Sequence, residues 1–295
     1  MDQLRKIMVA LDLTEMDEVL VRYASLFMNT LQAGSLSFIH IFENDTKPLD
    51  PHSKNSIEND LRSFLNDQLK GESFSWEISF LKGEVHDELL QAIDKNDIDL
   101  LILGRKQEIR GSGSLPQKTV KRCHSSVLFI PEEPFHNLQK ILVPVDFSDY
   151  SLIALKQALF LARQNGGQVI CQHIYEVPSG YHRTGKDYYE FSEIMKNHAI
   201  NDTKVFLKKH KLPPEELEFV YTLDKEGKPA KKIFKYAQEE KMDMICLGSK
   251  GRTAAASIVL GSVADNLVKM NGEIPLLVVK TKDENLGFFD AISKL

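Results

Sequence analysis

GEVHDELLQAIDKNDIDLLILG at residues 83–104 and GKPAKKIFKYAQEEKMDMICLG at residues 227–248 decide the fold. Each opens on a glycine, runs through a helical pattern and ends in a short apolar run closed by a second glycine. A helical period followed by an apolar run is the second half of a βαβ unit. The run LLIL at 100–103 is apolar at every position, as in a strand covered on both faces. Upstream, KIMVALD (6–12) is matched by KILVPVD (140–146); downstream, SVLFIP (126–131) is matched by PLLVVK (275–280). Three matched blocks in the same order describe a duplicated domain. Each copy is long enough to bury its own core, which sets it apart from a short-period solenoid.

The chain has 295 residues, which suits two domains. The first is expected over 1–133 and the second over 138–282, with a tail at 283–295. The polar stretch EEPFHNLQ (132–139) forms the boundary. In copy two the pattern predicts strands at 141–145, 168–173, 218–221, 244–247 and 276–279. Helices are expected from Ser148, which is suited to capping, and over 187–210, 230–239 and 262–270. Gly166-Gly167 should end the first of these helices. Copy one gives the same order. The expected fold class is α/β: two tandem open parallel sheets of Rossmann-like type with helices on both faces.

Hydrophobic content of 42%, charged content of 27% and a net charge of −5 fit ordinary globular domains and argue against a general nucleic-acid binder. No apolar run has membrane-spanning length, and the N-terminus lacks a signal-peptide pattern. Cys123, Cys171 and Cys246 form no CxxC pair, so the expected location is a reducing one, the cytoplasm.

In open parallel sheets, ligands sit beyond the carboxyl ends of the strands, where strand order reverses. In copy two that places Asp146, Gly248 and the loop GSKGRTAAASIVLGS (248–262) together. Gly248 and Gly251 permit close approach of backbone. Gly261-Ser262 opens a helix whose free N–H groups suit a phosphate. Lys250 and Arg252 add positive charge, and Asp146 is an acceptor for ribose or base donors. A glycine-rich strand-to-helix turn without a ligand is the plain alternative.

The spacing Gly248-x2-Gly251-x9-Gly261-Ser262, with VLGS at 259–262 and the opening ILVPVDFSD, resembles the ATP-binding branch of the universal stress protein family. The resemblance spans both copies. It implies that Gly248, Gly251, Gly261 and Ser262 wrap phosphates and that Asp146 contacts the nucleoside, with Pro144 and Val145 beside it. It implies further that Ile174, after His173, lines the base pocket, with Arg252 a weaker member of the set. The implied cofactor is ATP, AMP or ADP, with Mg²⁺ as an accompanying ion. The implied assembly is an internal pseudo-dimer through the final strands, with room for a homodimer and for an unidentified protein partner.

Copy one departs from this pattern. It keeps Asp12, His40-Ile41 and Gly104, but its loop, GRKQEIRGSGS (104–114), is shorter and carries Gln107 where copy two has Gly251. Weak, altered or absent nucleotide binding is expected there. Arg105, Lys106 and Arg110 keep the loop basic, which suits a solvated loop or a smaller anion. GSGSLPQKT (111–119) fails both the P-loop and the dinucleotide fingerprint, and no G-x-S-x-G or H-E-x-x-H occurs. Cys171 and His173 share a strand face, and with His182 or His198 they would suit a metal; a core thiol and a strand-end histidine are the simpler reading. The Tyr-rich stretch 179–198 is expected beside the crevice, as a lid, a partner surface or plain surface. Four functional readings stay open: a nucleotide-responsive binding protein, a slow ATPase or nucleotidyl transferase, a scaffold without nucleotide, and a binder of a different small anion such as a cyclic nucleotide or a lipid-linked phosphate.

Overall fold

The computed structural model describes residues 4–43, 51–105, 115–133, 137–251, 260–270 and 272–281. The tail at 283–295, Arg252 and the copy-one residues 106–114, Gly113-Ser114 among them, lie outside the described residues. The chain divides into two compact units, one built on residues 1–136 and one on 137–270 with 276–279; residues 272–275 and Lys280 go with the first.

Unit 1 runs β1 (Lys6–Leu11), α1 (Met16–Leu31), β2 (Ser35–Phe42), α2 (Pro51–Gln68), β3 (Trp76–Lys82), α3 (Val85–Asn96), β4 (Leu100–Arg105), α4 (Leu115–Arg122) and β5 (Ser126–Pro131). Its strand order is β3-β2-β1-β4-β5, and each of these neighbouring pairs is parallel. Unit 2 runs β6 (Lys140–Pro144), α5 (Asp149–Asn165), β7 (Gln168–Tyr175), α6 (Tyr188–His210), β8 (Leu217–Leu223), α7 (Pro229–Glu239), β9 (Met244–Gly248), α8 (Ser262–Lys269) and β10 (Leu276–Val279). Its order is β10-β9-β6-β7-β8, again parallel throughout. Right-handed crossovers on such an order put α5 and α6 on one face of the sheet and α7 and α8 on the other. Ile141, Leu142 and Val143 of β6 and Ile245 and Cys246 of β9 are buried, as strands covered on both faces require.

The duplication extends to single hydrogen bonds. Asp99 Oδ2 accepts from the N–H groups of Arg5 (2.9 Å) and Lys6 (2.8 Å). Asp243 Oδ2 accepts from those of Gln139 (2.9 Å) and Lys140 (2.8 Å). In each unit one carboxylate just ahead of the fourth strand thus pins the start of the first. His40 Nδ1 lies 3.0 Å from the Leu11 carbonyl, and His173 Nδ1 lies 2.8 Å from that of Val145. Both units leave their first strand on a non-glycine residue in left-handed backbone, Leu13 at φ 63° and Phe147 at φ 65°.

Local sequence sets the element ends. Ser148 Oγ accepts from the Ser151 N–H at the start of α5, and Gly166 closes that helix at φ 64°. The buried face of α5 is wider than its apolar spacing suggests, because Leu152, Leu155 and Leu159 join Ala154, Ala158, Leu161 and Ala162. A capping box between Asp187 and Glu190 starts α6.

Candidate functional site

In unit 2 β6 lies between β9 and β7. The chain steps from β6 to β7 in one direction and from β9 to β10 in the other, so the strand order reverses beside β6. A cleft of about 760 Å³ opens there, within the range of small-molecule sites. It is bordered by the last residues of three strands, Pro144 of β6, Tyr175 of β7 and Gly248 of β9.

Among the residues picked out from sequence, Pro144, Val145, Asp146, Ile174, Gly248, Gly251, Gly261 and Ser262 all line this cleft. They come from four separated stretches of chain. β7 and β9 flank β6, so Ile174 and Gly248 stand two strand spacings apart, roughly 10 Å. One side of the cleft therefore carries the glycine signature and the other the Ile174 wall.

The three glycines do different jobs. A Cβ on Gly248 would lie 2.5 Å from the Tyr150 carbonyl oxygen and 2.7 Å from its carbonyl carbon. The close approach at this position is to the first turn of α5. A Cβ on Gly251 would meet the Asp146 Oδ2 at 3.0 Å, inside the cleft. On Gly261 it would crowd Lys250 Cα at 3.3 Å. The Gly261 N–H donates to the Ser249 carbonyl at 2.7 Å, and this closes the neck of the loop between them.

Gly261 is the N-cap of α8 and supplies no side chain to cap it. Ser262, Val263 and Ala264, the first turn, face the cleft. Their N–H groups and the helix dipole form a site for negative charge. Lys250 also borders the cleft and is almost buried, with its ammonium 5.6 Å from the centre of the Tyr150 ring. Asp146 is held by Ser148, whose N–H (3.1 Å) and hydroxyl (2.6 Å) both donate to Oδ1.

The cleft also takes in residues that the sequence reading did not assign. Met195, His198, Ala199 and Asp202 of α6 line it, as do Pro229 and Ile233 of α7 and Gln172 of β7. The α6 set has the i, i+3, i+4, i+7 spacing of one helix face, which was the available signal. The stretch 179–198 contains a 3-10 turn, Tyr181–Thr184, and the start of α6, and it brings Met195 and His198 to the cleft wall. Burial, with Glu193 and Tyr188 nearby, pushes the Tyr175 phenol up, so it stays protonated at the rim. Cys171 is fully buried with its thiol pushed up by desolvation. Among the described residues no group of His, Cys, Asp or Glu is arranged to hold a metal ion.

In unit 1 the expectation of a wholly basic loop is corrected at Arg105. Its guanidinium is buried, donating through Nη2 to the carbonyls of Gly272 (2.9 Å) and Ile274 (3.3 Å). Desolvation pushes it down to about 10. This arginine satisfies carbonyls inside the unit and does not face an incoming anion. No helix among the described residues is long and apolar enough to cross a membrane.

Residues 3–131 and 137–280 each match the model of the Universal stress protein family. Universal stress protein MJ0531 of Methanocaldococcus jannaschii is 35% identical over 144 residues, covering 48% of this chain and 82% of that protein. Universal stress protein MJ0577 of the same organism is 32% identical over 157 residues, covering 49% and 96%. A crystal structure of a universal stress protein from Archaeoglobus fulgidus DSM 4304 superposes with a TM-score of 0.66 at 18% identity, covering 95% of this chain and 98% of that one. With two tandem matches over nearly its whole length, on a duplicated parallel α/β fold, the chain belongs to the universal stress protein family.

Proposed function

We propose that unit 2 binds ATP or a related adenine nucleotide and that the chain works as a nucleotide-responsive binding module. The observation that carries this reading is the convergence, on one cleft at the strand-order reversal, of a helix N-terminus without a side-chain cap, Gly251, where a side chain would press on the cleft carboxylate, and Asp146 itself.

The residues fit the group. The first-turn N–H groups of α8 and the Ser262 hydroxyl would hold phosphate oxygens, and the nearby Lys250 adds positive charge. Gly251 leaves room for phosphate where a side chain would press on Asp146. Asp146, already oriented by Ser148, has a second oxygen directed toward Gly251 and suited to a ribose hydroxyl. Ile174, Pro229 and Ile233 supply the apolar wall against which a base packs. A triphosphate would bring Mg²⁺ with it, and Asp146, Glu176 and Asp202 are the carboxylates that line the cleft. A phosphate cradle of this kind supports binding; turnover would need, in addition, a positioned water or nucleophile.

The test is to denature freshly purified full-length protein and identify released nucleotide by chromatography and mass spectrometry. Close to one adenine nucleotide per chain is expected, lost in Gly251→Gln, which copies Gln107 into unit 2. Two per chain would locate a second site in unit 1. None, together with no thermal shift on adding ATP, would overturn the proposal; ligand at a hundredfold excess over Kd should stabilise by about 2.7 kcal/mol.

A further inference from the structure

We infer that Gln172 is the residue that selects the base in this cleft, by accepting a hydrogen bond from an exocyclic amino group; the inference rests on the nucleotide reading of the site above. Gln172 sits in β7 two residues before Ile174, so the two side chains lie on the same face of the strand. It is fully buried and borders the cleft. Its amide Nε2 donates to Thr222 Oγ1 at 2.9 Å, across the β7–β8 pair. Its Oε1 has no hydrogen-bond partner among the described residues. The other buried side-chain atoms in that state, on His86, Arg105 and Asp224, belong to residues that do not line the cleft.

A buried carbonyl oxygen left without a donor is unfavourable, so a ligand that supplies one gains the full benefit of satisfying it. The fold itself does not ask for a polar group here. The first strands align Ala10 with Pro144, and Ala10 pairs with Ile39 just as Pro144 pairs with Gln172. Unit 1 thus fills the same position with a buried isoleucine. The Thr222 that steadies the amide pairs with Ile174; its counterpart, paired with Ile41, is Leu81. Unit 1 is apolar at both positions and unit 2 is polar at both, and only in unit 2 does the pair stand beside the glycine signature.

With Nε2 engaged by Thr222, the free end is an acceptor. It favours a 6-aminopurine, whose N–H points outward as a donor. It disfavours a 6-oxopurine, which would set one carbonyl oxygen against another. A purine with hydrogen at C6 leaves the oxygen unpaired and falls between them. A site built around one buried polar group discriminates strongly against analogues that leave it unmatched.

The experiment uses the full chain stripped of bound nucleotide, titrated calorimetrically with ATP, ITP and purine riboside triphosphate. Wild type is expected to prefer ATP over the 6-hydrogen analogue by roughly tenfold or more, and over ITP by a larger factor. In Gln172→Leu the ATP preference should collapse, while affinity for the 6-hydrogen analogue stays within about twofold, since that ligand offers the amide oxygen no donor to lose. Gln172→Glu, which keeps an acceptor, should retain the preference for ATP over ITP. The thermal midpoint of ligand-free Gln172→Leu should equal or exceed that of wild type, because an unsatisfied oxygen has been removed. Equal wild-type affinity for ATP and ITP, a preference for ITP, or an ATP preference that survives Gln172→Leu would overturn the assignment while leaving nucleotide binding intact. Failure of wild type to bind all three would overturn the nucleotide reading itself, and this inference with it.

Discussion

Gly248→Ala should cripple the fold of unit 2 more than any other single methyl group added to the glycine signature. The new Cβ would lie 2.5, 2.7 and 2.9 Å from Tyr150 O, C and Cβ. Ordinary carbon contacts fall near 3.5–4.0 Å, so the overlap is about 1 Å, most of it with main chain. Tyr150 is the second residue of α5, and the clash can only be relieved by moving the first turn of that helix. The same movement disturbs the Ser148 cap and the Asp146 carboxylate that Ser148 holds. Overpacking of this kind costs about 1–3 kcal/mol, and a backbone obstacle puts this case at about 3. For a unit of this size that lowers Tm by roughly 6–12 °C. Gly104→Ala in unit 1 supplies the control. Its Cβ meets the flexible Met16 side chain at 2.8 Å, which can swing aside, so a loss of about 1 kcal/mol is expected. Gly251→Ala faces only the Asp146 side chain and should leave Tm within about 3 °C while lowering nucleotide affinity. The assay is thermal unfolding followed by circular dichroism on the full chain, paired with calorimetric titration of ATP. A Gly248→Ala midpoint within about 2 °C of wild type, or a larger loss from Gly104→Ala, would refute the argument that Gly248 serves the helix packed on it.

Other perturbations have equally definite outcomes. Ser148→Ala removes a helix cap and should cost about 1 kcal/mol of stability, read as a lower denaturation midpoint in urea; it should also weaken nucleotide binding modestly, because Asp146 loses the hydroxyl that orients it. Asp146→Ala should abolish measurable nucleotide retention on gel filtration while leaving far-ultraviolet circular dichroism unchanged. His86 gives the pH dependence. Burial first, then the charge of Arg122, hold its imidazole below the ordinary 6.5, so the unfolded chain binds more protons in the window just under that value. The contribution to stability is fully present above about pH 6.5 and is lost as pH falls through the window down to the folded-state value. His86→Gln should therefore flatten the acid side of a Tm-against-pH curve, and an unchanged slope would contradict the assignment.

The sheet was legible because its strands are short apolar runs in a fixed rhythm, and because the chain states that rhythm twice. The glycine side of the cleft was legible for a related reason: close packing leaves a trace as glycine, at 248, 251 and 261. The trace does not say what does the packing, however, and at Gly248 it is Tyr150. The remaining walls were harder to read. His198 and Asp202 lie on a helix whose polar residues face both solvent and cleft, and only the packing of α6 decides which. Pro229 reads simply as a helix-opening proline. Gln172 did leave a mark, a polar residue inside the apolar run VICQHIY, but its meaning depends on Thr222, fifty positions away and adjacent only through sheet register. Arg105 was misread for the same reason: its partners at 272 and 274 are remote in sequence.

The left-handed turn after each first strand carries a different side chain in the two units. Holding a side chain there costs about 1–2 kcal/mol in either unit. In unit 1 that side chain is Leu13, 45% exposed. In unit 2 it is Phe147, whose ring stacks on His173 at 4.5 Å and against Phe206 of α6 at 5.5 Å. Phe147 directly follows Asp146, so the cleft residue is tied through its neighbour's ring to the helix that walls the cleft. Two copies of one turn thus differ in what they hold: an aromatic contact to the helix that walls the cleft in unit 2, and a half-exposed leucine in unit 1.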